Sequence, residues 1–185
     1  MGARKLKSRF NSINASNIRI VVSNVTGHNN ELKRKCYLEH IKKLNPTIAV
    51  TVDSRVGPST ERSIKNNTSD YNCFFSSFST QARGISVYID KKSTLKVTKL
   101  YADREGNVLN LKIKDNENVF VLCSIYGPKK DDPGFFEENI NRLTSYDCPY
   151  IMTGDFNTTL CHAKDNLNYV EERNKESRRR LNELM

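Results

Sequence analysis

The chain has 185 residues, 37% hydrophobic and 28% charged, which suits one domain with a sizeable core and is too little for two ordinary ones. Lys and Arg number 30 against 21 Asp and Glu, a net charge of +9 that favours a polyanionic partner, nucleic acid ahead of an anionic membrane. No apolar run approaches the length of a bilayer span, and Met1-Gly2-Ala3-Arg4-Lys5-Leu6 lacks the apolar stretch of a secretory signal, so neither a membrane-spanning nor a secreted protein is expected.

Residues 1–16 are polar and basic and read as a flexible arm. Ile18–Val22 is a β-branched strand that runs into the turn-prone Ser23-Asn24-Val25-Thr26-Gly27. Residues 31–44 read as an amphipathic helix with Leu32, Cys36, Ile41 and Leu44 inward, ended by Pro46. Ile48–Val52 is apolar throughout, as a strand buried on both faces would be, and finishes at Asp53. Residues 54–69, rich in Ser, Thr, Asn and Gly, read as a loop.

Strands then follow in close succession at 71–78, 84–89, 95–101, 108–113 and 119–126, with a hairpin turn at 114–118. Without helices between them they are expected to pair antiparallel. A helix over 134–144 faces Phe135, Phe136, Ile140 and Leu143 inward, and Pro149–Thr153 reads as a buried strand. Residues 158–172 look irregular, and 174–185 reads as a short basic helix. The order implies a mixed α/β domain with two sheets. The five cysteines are widely spaced and form no CxxC, which argues for a reduced, intracellular compartment; Cys73 and Cys123 read as small core residues.

The polar residues Asn24, Asp53, Tyr126, Asp155 and Asn157 all stand at strand C-termini, where ligand sites of such folds gather. Gly154-Asp155-Phe156-Asn157 is the most informative group. On an extended strand, Asp155 and Asn157 share a face and Phe156 turns to the other. A carboxylate that holds a hard cation or steers a proton, beside an amide that donates to a phosphate oxygen, suits work on a phosphodiester. Each residue also has a plainer reading: turn former for Asn24, cap for Asp53, rim aromatic for Tyr126, and an Asx turn for Asp155 with Asn157.

Taken in order, Ser23-Asn24-Val25-Thr26-Gly27, Thr51-Val52-Asp53-Ser54-Arg55, Ser124-Ile125-Tyr126-Gly127-Pro128 and Gly154-Asp155-Phe156-Asn157 resemble the motifs of the endonuclease/exonuclease/phosphatase superfamily. Arg83-Gly84-Ile85-Ser86-Val87 and the stretch Tyr126–Phe136 narrow the likeness to the apurinic-type endonuclease domain of LINE-1-like non-LTR retrotransposons. The resemblance covers residues 17–185. It implies a four-layer α/β/β/α sandwich (DNase I-like) of two packed, mixed or mostly antiparallel sheets. It also implies DNA nicking that depends on magnesium, with manganese as an alternative, on nuclear DNA, and a reverse transcriptase downstream in an intact element. Asp53 would bind the metal, Asp155 would orient or deprotonate water, Asn157 would bind a non-bridging phosphate oxygen, Tyr126 would bond a phosphate or the leaving oxygen, and Asn24 would bond the scissile phosphate or orient a metal ligand. Arg83, Arg173, Lys175 and Arg178 are candidates for DNA contact, although a basic run among glutamates is also what a solvated helix face looks like.

The chain departs from the family in two ways. The family usually carries Glu where this chain has Asp53, and it ends in a Ser-Asp-His motif that is not found here; His28, His40 and His162 do not stand in for it. The expectation is therefore a domain incomplete at its C-terminus, its final strands missing, and weak or inactive as the 185-residue chain. The alternatives are a catalytically silent DNA-binding fragment and a phosphatase of the same superfamily.

Overall fold

The structure, a computed structural model, describes residues 18–161 and 174–184, so the predicted basic arm lies outside the described residues. The strands are β1 (Ile20–Asn24), β2 (Ile48–Val52), β3 (Tyr71–Ser76), β4 (Ile85–Asp90), β5 (Lys96–Ala102), β6 (Val108–Asp115), β7 (Asn118–Tyr126) and β8 (Tyr150–Asp155). The helices are α1 (Glu31–Leu44), α2 (Glu61–Asn67), α3 (Pro133–Thr144) and α4 (Lys175–Leu184). One sheet has the order β1-β2-β4-β3 and the other β5-β6-β7-β8. In each, one edge pair is parallel, β1 with β2 and β7 with β8, and the remaining pairs are antiparallel. This is the mixed two-sheet architecture expected.

The two sheets close on a slab of branched side chains: Ile48, Val50 and Val52 of β2, Ile85, Val87 and Ile89 of β4, and Leu109, Leu111 and Ile113 of β6, with Leu122 and Tyr126 of β7. The opposite faces carry the helices. Leu38, Ile41 and Ile64 of α1 and α2 cover Ala49, Phe75 and Tyr88, while Phe136, Ile140 and Leu143 of α3 and Leu181 of α4 cover Val108, Val121, Cys123 and Ile125. Four layers result, α/β/β/α, and β2 is buried on both faces as its composition requires. Cys73 and Cys123 are buried in it, and burial pushes their thiols up, to about 11 and about 12.

Local chemistry sets the helix ends. The Asn30 side chain accepts from Lys33 N at 3.0 Å, and Asn45 closes α1 in the left-handed conformation, one residue before Pro46. Asp132 caps α3 by accepting from Phe135 N at 3.2 Å, with Pro133 in the first turn. The neighbouring Asp131 caps α4 from outside: its carboxylate accepts from Ser177 N, Ser177 Oγ and Glu176 N at 2.8, 2.6 and 3.0 Å.

Three sequence expectations need correcting. The loop 54–69 contains a helical turn at Pro58–Thr60 and the helix α2, whose single buried residue, Ile64, is too little apolar signal for a period to show. On α1 the buried face is Arg34, Leu38 and Ile41, while Leu32, Cys36 and Leu44 face solvent; the Arg34 stem packs inward because its guanidinium reaches the His28 carbonyl oxygen at 2.8 Å. Finally, the apolar run 149–153 is not a buried strand. Among the described residues β8 pairs with β7 alone, and Tyr150 and Ile151 remain 39% and 44% exposed.

Close approach of β8 to β7 depends on Gly154, at φ 140°, where an added Cβ would overlap the Ile125 carbonyl oxygen. Gly154→Ala should therefore push the two strands apart at the end that carries Asp155. The expected loss is about 2 kcal/mol or more, read from urea unfolding.

Candidate active site

The C-terminal ends of β1, β2, β7 and β8 lie together at one edge of the sandwich. Asn24 ends β1, and its Nδ2 donates to Asp155 Oδ2 at 2.8 Å, joining residues 131 apart in the chain. The Asn24 side-chain oxygen, Oδ1, accepts in turn from Thr26 N at 3.2 Å and Thr26 Oγ1 at 3.4 Å, which fixes which end of the amide faces Asp155. The other carboxylate oxygen, Oδ1, accepts from Asn157 N at 3.0 Å. Asp155 is thus pinned by two donors yet remains half-exposed.

Asn157 does not sit as an extended strand would place it. The strand stops at Asp155 and Asn157 turns into the left-handed region at φ 48°, so the two meet through an Asx turn rather than along one strand face. The Asn157 Nδ2 donates to the Gly127 carbonyl oxygen at 2.8 Å, and Gly127 N donates to the Asp155 carbonyl oxygen at 2.7 Å. A side chain at Gly127 would overlap the Phe156 carbonyl, so glycine is required there. Phe156 points away as expected, into the α3 side, stacked on Phe136 at 6.3 Å between ring centroids.

Two adjoining depressions result. Asn24, Asp155 and Asn157 line one of about 530 Å³ together with Val52 and Thr158. Asp53 and Tyr126 line the second, about 640 Å³, with Arg55, Arg83, Asn107, Lys129 and Lys130. Asp53 follows Val52 directly, and Tyr126 is paired in register with Asp155, so the two hollows share a wall. The Tyr126 hydroxyl has no partner among the described residues.

Asp53 is nearly buried and tightly engaged. Its Oδ1 accepts from Arg55 Nε at 3.2 Å and Arg83 N at 3.1 Å, and its Oδ2 from Arg55 Nη2 at 2.9 Å. The hydrogen bonds and charge of Asp53 hold the Arg55 guanidinium still more firmly protonated than usual. Among the described residues no three His, Cys, Asp or Glu side chains gather as a metal cage. A single hard carboxylate in a hollow with room for water and a phosphate nonetheless fits magnesium, which keeps several waters and takes few protein ligands.

The candidate DNA contacts divide. Arg83 lines the second hollow, but its guanidinium pairs with Glu105 at 2.7 Å and lies over the Phe78 ring. Lys175 and Arg178 belong to α4 and line neither hollow. Their neighbours Arg179 and Arg180 are tied to Glu176, Glu183 and Glu137, as on a solvated helix face. Arg173 and His162 lie outside the described residues. Sequence reasoning missed Arg55, Asn107, Lys129 and Lys130 as lining residues. Arg55 was findable, because it stands two residues beyond Asp53 at a strand end.

The site is conformationally strained. Away from it, among the described residues, the non-glycine residues with positive φ are Asn45, Asn116 and Asp147, while Asn174 borders it, its Nδ2 donating to the Asn157 carbonyl oxygen at 2.6 Å; all four are types that tolerate the left-handed region. At the site they are Thr26, Asp53, Arg55, Arg83 and Asn157, at φ 46 to 61°. A β-branched Thr and two Arg in that region are what functional sites concentrate and ordinary turns avoid.

The fold set around this edge is found in known nucleases. The sequence matches no family model. The chain is a DNase I-like four-layer sandwich, and its fold is shared with three solved proteins in particular. The AP endonuclease of Leishmania major aligns at TM-score 0.68 and 15% identity, over 91% of this chain and 66% of that one. The endonuclease domain of TRAS1, a telomere-specific non-LTR retrotransposon, aligns at 0.65 and 15%, over 90% and 72%. The catalytic domain of Xenopus laevis APE2 aligns at 0.69 and 16%, over 90% and 67%. This chain thus spans about two thirds of their length. Among its described residues, no helix is long and apolar enough to cross a membrane.

His28, beside the first motif, is a structural residue. It is 1% exposed, packs on Tyr37 at 4.6 Å between ring centroids, and its Nδ1 has no hydrogen-bond partner among the described residues. Burial first, then Lys33 and Arg34, lower its pKa from 6.5 to about 4. The folded state therefore holds His28 neutral where the unfolded chain protonates it, and stability falls as pH drops from about 6.5 to about 4. The full effect is on the order of 3 kcal/mol. Urea midpoints across that window should show this component in the wild type and lose it in His28→Gln.

Proposed function

We propose that this chain is the endonuclease domain of a LINE-1-like non-LTR retrotransposon, hydrolysing a phosphodiester of DNA with the help of magnesium, or of manganese in its place. The observation that carries the reading is the Asp155 carboxylate, oriented by Asn24 Nδ2 and Asn157 N, beside a hollow that presents Asp53, Tyr126 and a cationic rim. The same motifs in the same order, on a fold shared with AP endonucleases and a retrotransposon endonuclease domain, support it.

Lys129 and Lys130 carry no ion pair among the described residues and meet the phosphate backbone at the rim, joined by Arg55. Asn24 fixes one oxygen of Asp155, so the carboxylate is aimed before substrate arrives. Asp155 orients a water and accepts its proton as the water oxygen bonds to phosphorus. The bond to the 3′ oxygen breaks and that oxygen takes a proton from solvent water, which leaves a 3′-hydroxyl and a 5′-phosphate. Tyr126 directs its hydroxyl at a phosphate or leaving oxygen, and Asn157 offers its amide to a non-bridging oxygen. When bound at Asp53, the cation supplies positive charge against the phosphate. A 3′-hydroxyl is the primer a reverse transcriptase needs, and such a domain downstream and a nuclear site of action follow from this reading.

A second reading, a DNA-binding fragment without catalysis, is favoured by one observation. Among the described residues no imidazole reaches Asp155: His28 is buried in the core and His40 is exposed on α1. On this reading Asp155 has its two amide donors but no imidazole among the described residues, and nicking by the 185-residue chain is slow. A supercoiled-plasmid assay with magnesium separates the readings. Slow nicking that falls to background in Asp155→Ala supports the endonuclease; a positioned group of this kind contributes on the order of 10²–10⁴-fold. Nicking indifferent to Asp155→Ala and to chelation leaves the silent fragment. In filter binding, phosphate contacts by Arg55, Lys129 and Lys130 should give a slope of log K on log salt of about −3. A flat dependence would exclude that cationic rim as the DNA surface.

A further inference from the structure

The backbone around Asp53 makes its engagement with Arg55 a built feature. Segment 53–55 is held on both sides: Gly27 N and His28 N donate to the Asp53 and Ser54 carbonyls at 2.7 and 2.5 Å, while Ser54 N and Arg55 N donate to Gly84 and Arg83 carbonyls at 2.9 and 2.7 Å. Asp53 and Arg55 are both left-handed, at φ 51° and 53°, and so direct their side chains to one place. Gly27 and Gly84 leave the room for it. A Cβ on Gly27 would press on Arg55 Cδ at 3.3 Å, and one on Gly84 would press on Ser54 Oγ at 2.9 Å. The guanidinium then covers both carboxylate oxygens of the residue that offers a hard cation its anchor, while its outer face, 34% exposed, looks into the hollow shared with Tyr126, Lys129 and Lys130.

From this arrangement, and resting on the endonuclease reading of Asp53, we infer that Arg55 is an internal competitor for the divalent cation, released by the phosphate of the substrate. Two positive charges cannot share the Asp53 oxygens at contact distance, so the cation displaces the guanidinium or fails to bind. Displacement needs only side-chain torsions, because the backbone of Arg55 is fixed. A phosphate entering the hollow offers the fork a bidentate partner equal to the one it leaves. Nucleic acid and cation therefore bind with positive coupling, and by linkage each raises the affinity of the other by the same factor. Without DNA the cation is held weakly, and the carboxylate stays satisfied.

The test is a manganese titration of the full 185-residue chain without DNA, reading free Mn²⁺ by electron spin resonance, in wild type, Arg55→Gln, Arg55→Lys and Asp53→Asn. Removing the competitor should tighten Mn²⁺ binding on the order of tenfold in Arg55→Gln. Arg55→Lys, which keeps the charge but loses the fork, should fall between. In the DNA experiment without metal, Arg55→Gln should reduce the salt slope by about one. Arg55→Gln binding Mn²⁺ no tighter than wild type, while Asp53→Asn loses binding, overturns the competitor and leaves the metal site standing. Equal affinity in Asp53→Asn and wild type overturns the metal site itself, and the competitor with it. Unchanged melting temperatures of the two Arg55 variants confirm that both report on folded protein.

Discussion

The registration of the two sheets is the constraint on which the site depends. Asn24 and Asp155 lie on different sheets, at the ends of the parallel pairs β1/β2 and β7/β8, and they come within hydrogen-bonding distance only because the slab between the sheets lets them pack one way. That slab is Ile, Val and Leu almost throughout, interdigitated from both sides, and such close packing resists sliding by even part of a side chain. Parallel pairing matters equally, since it brings the C-terminal ends of β1 and β2, and of β7 and β8, to the same edge, where unpaired chain ends can present side chains to a ligand. A shift of one residue in either ladder would turn every side chain of the strand to the opposite face.

Electrostatics then completes what packing positions. Asp53 stands among Arg55, Arg83, Lys129 and Lys130, and Asp155 stands in the neighbouring hollow, in a protein of net charge +9. Each carboxylate is anchored by donors and neither is left bare, so the edge holds its negative charge in place while its rim stays positive. A polyanion approaching such a surface meets attraction at the rim and two fixed acceptors within it. The arginines of α4, by contrast, are largely absorbed by neighbouring glutamates and serve the helix rather than a ligand.

Much of this was legible in the sequence. Every strand of the described structure was readable from β-branched, apolar runs, and the position of the polar residues at strand ends pointed to one edge. What failed did so for identifiable reasons. The helix α2 buries one residue, so no period exists to find. The apolar run at Tyr150 and Ile151 looked buried, but burial is set by which strand lies alongside, and so short a run carries no record of its neighbour. Asn157 was placed on a strand face because alternation was carried past the point where the backbone turns left-handed, and an Asp-Phe-Asn sequence is as much an Asx turn as a strand end. The pairing of Arg55 with Asp53 required two left-handed residues two positions apart, and for Arg55 propensity argues against that conformation.

Those left-handed residues also bear on how the domain tolerates substitution. Glycine occupies that region without a steric penalty, so at Thr26, Arg55 and Arg83 the change that relaxes the backbone is also the change that deletes the side chain. Selection for thermal robustness alone, blind to chemistry, would be drawn to these positions and would empty the edge of its functional groups. A copy of the domain released from the need for those side chains would drift toward a firmer sandwich with a blank rim. Retained Thr and Arg at these awkward angles would then be a mark of continued use.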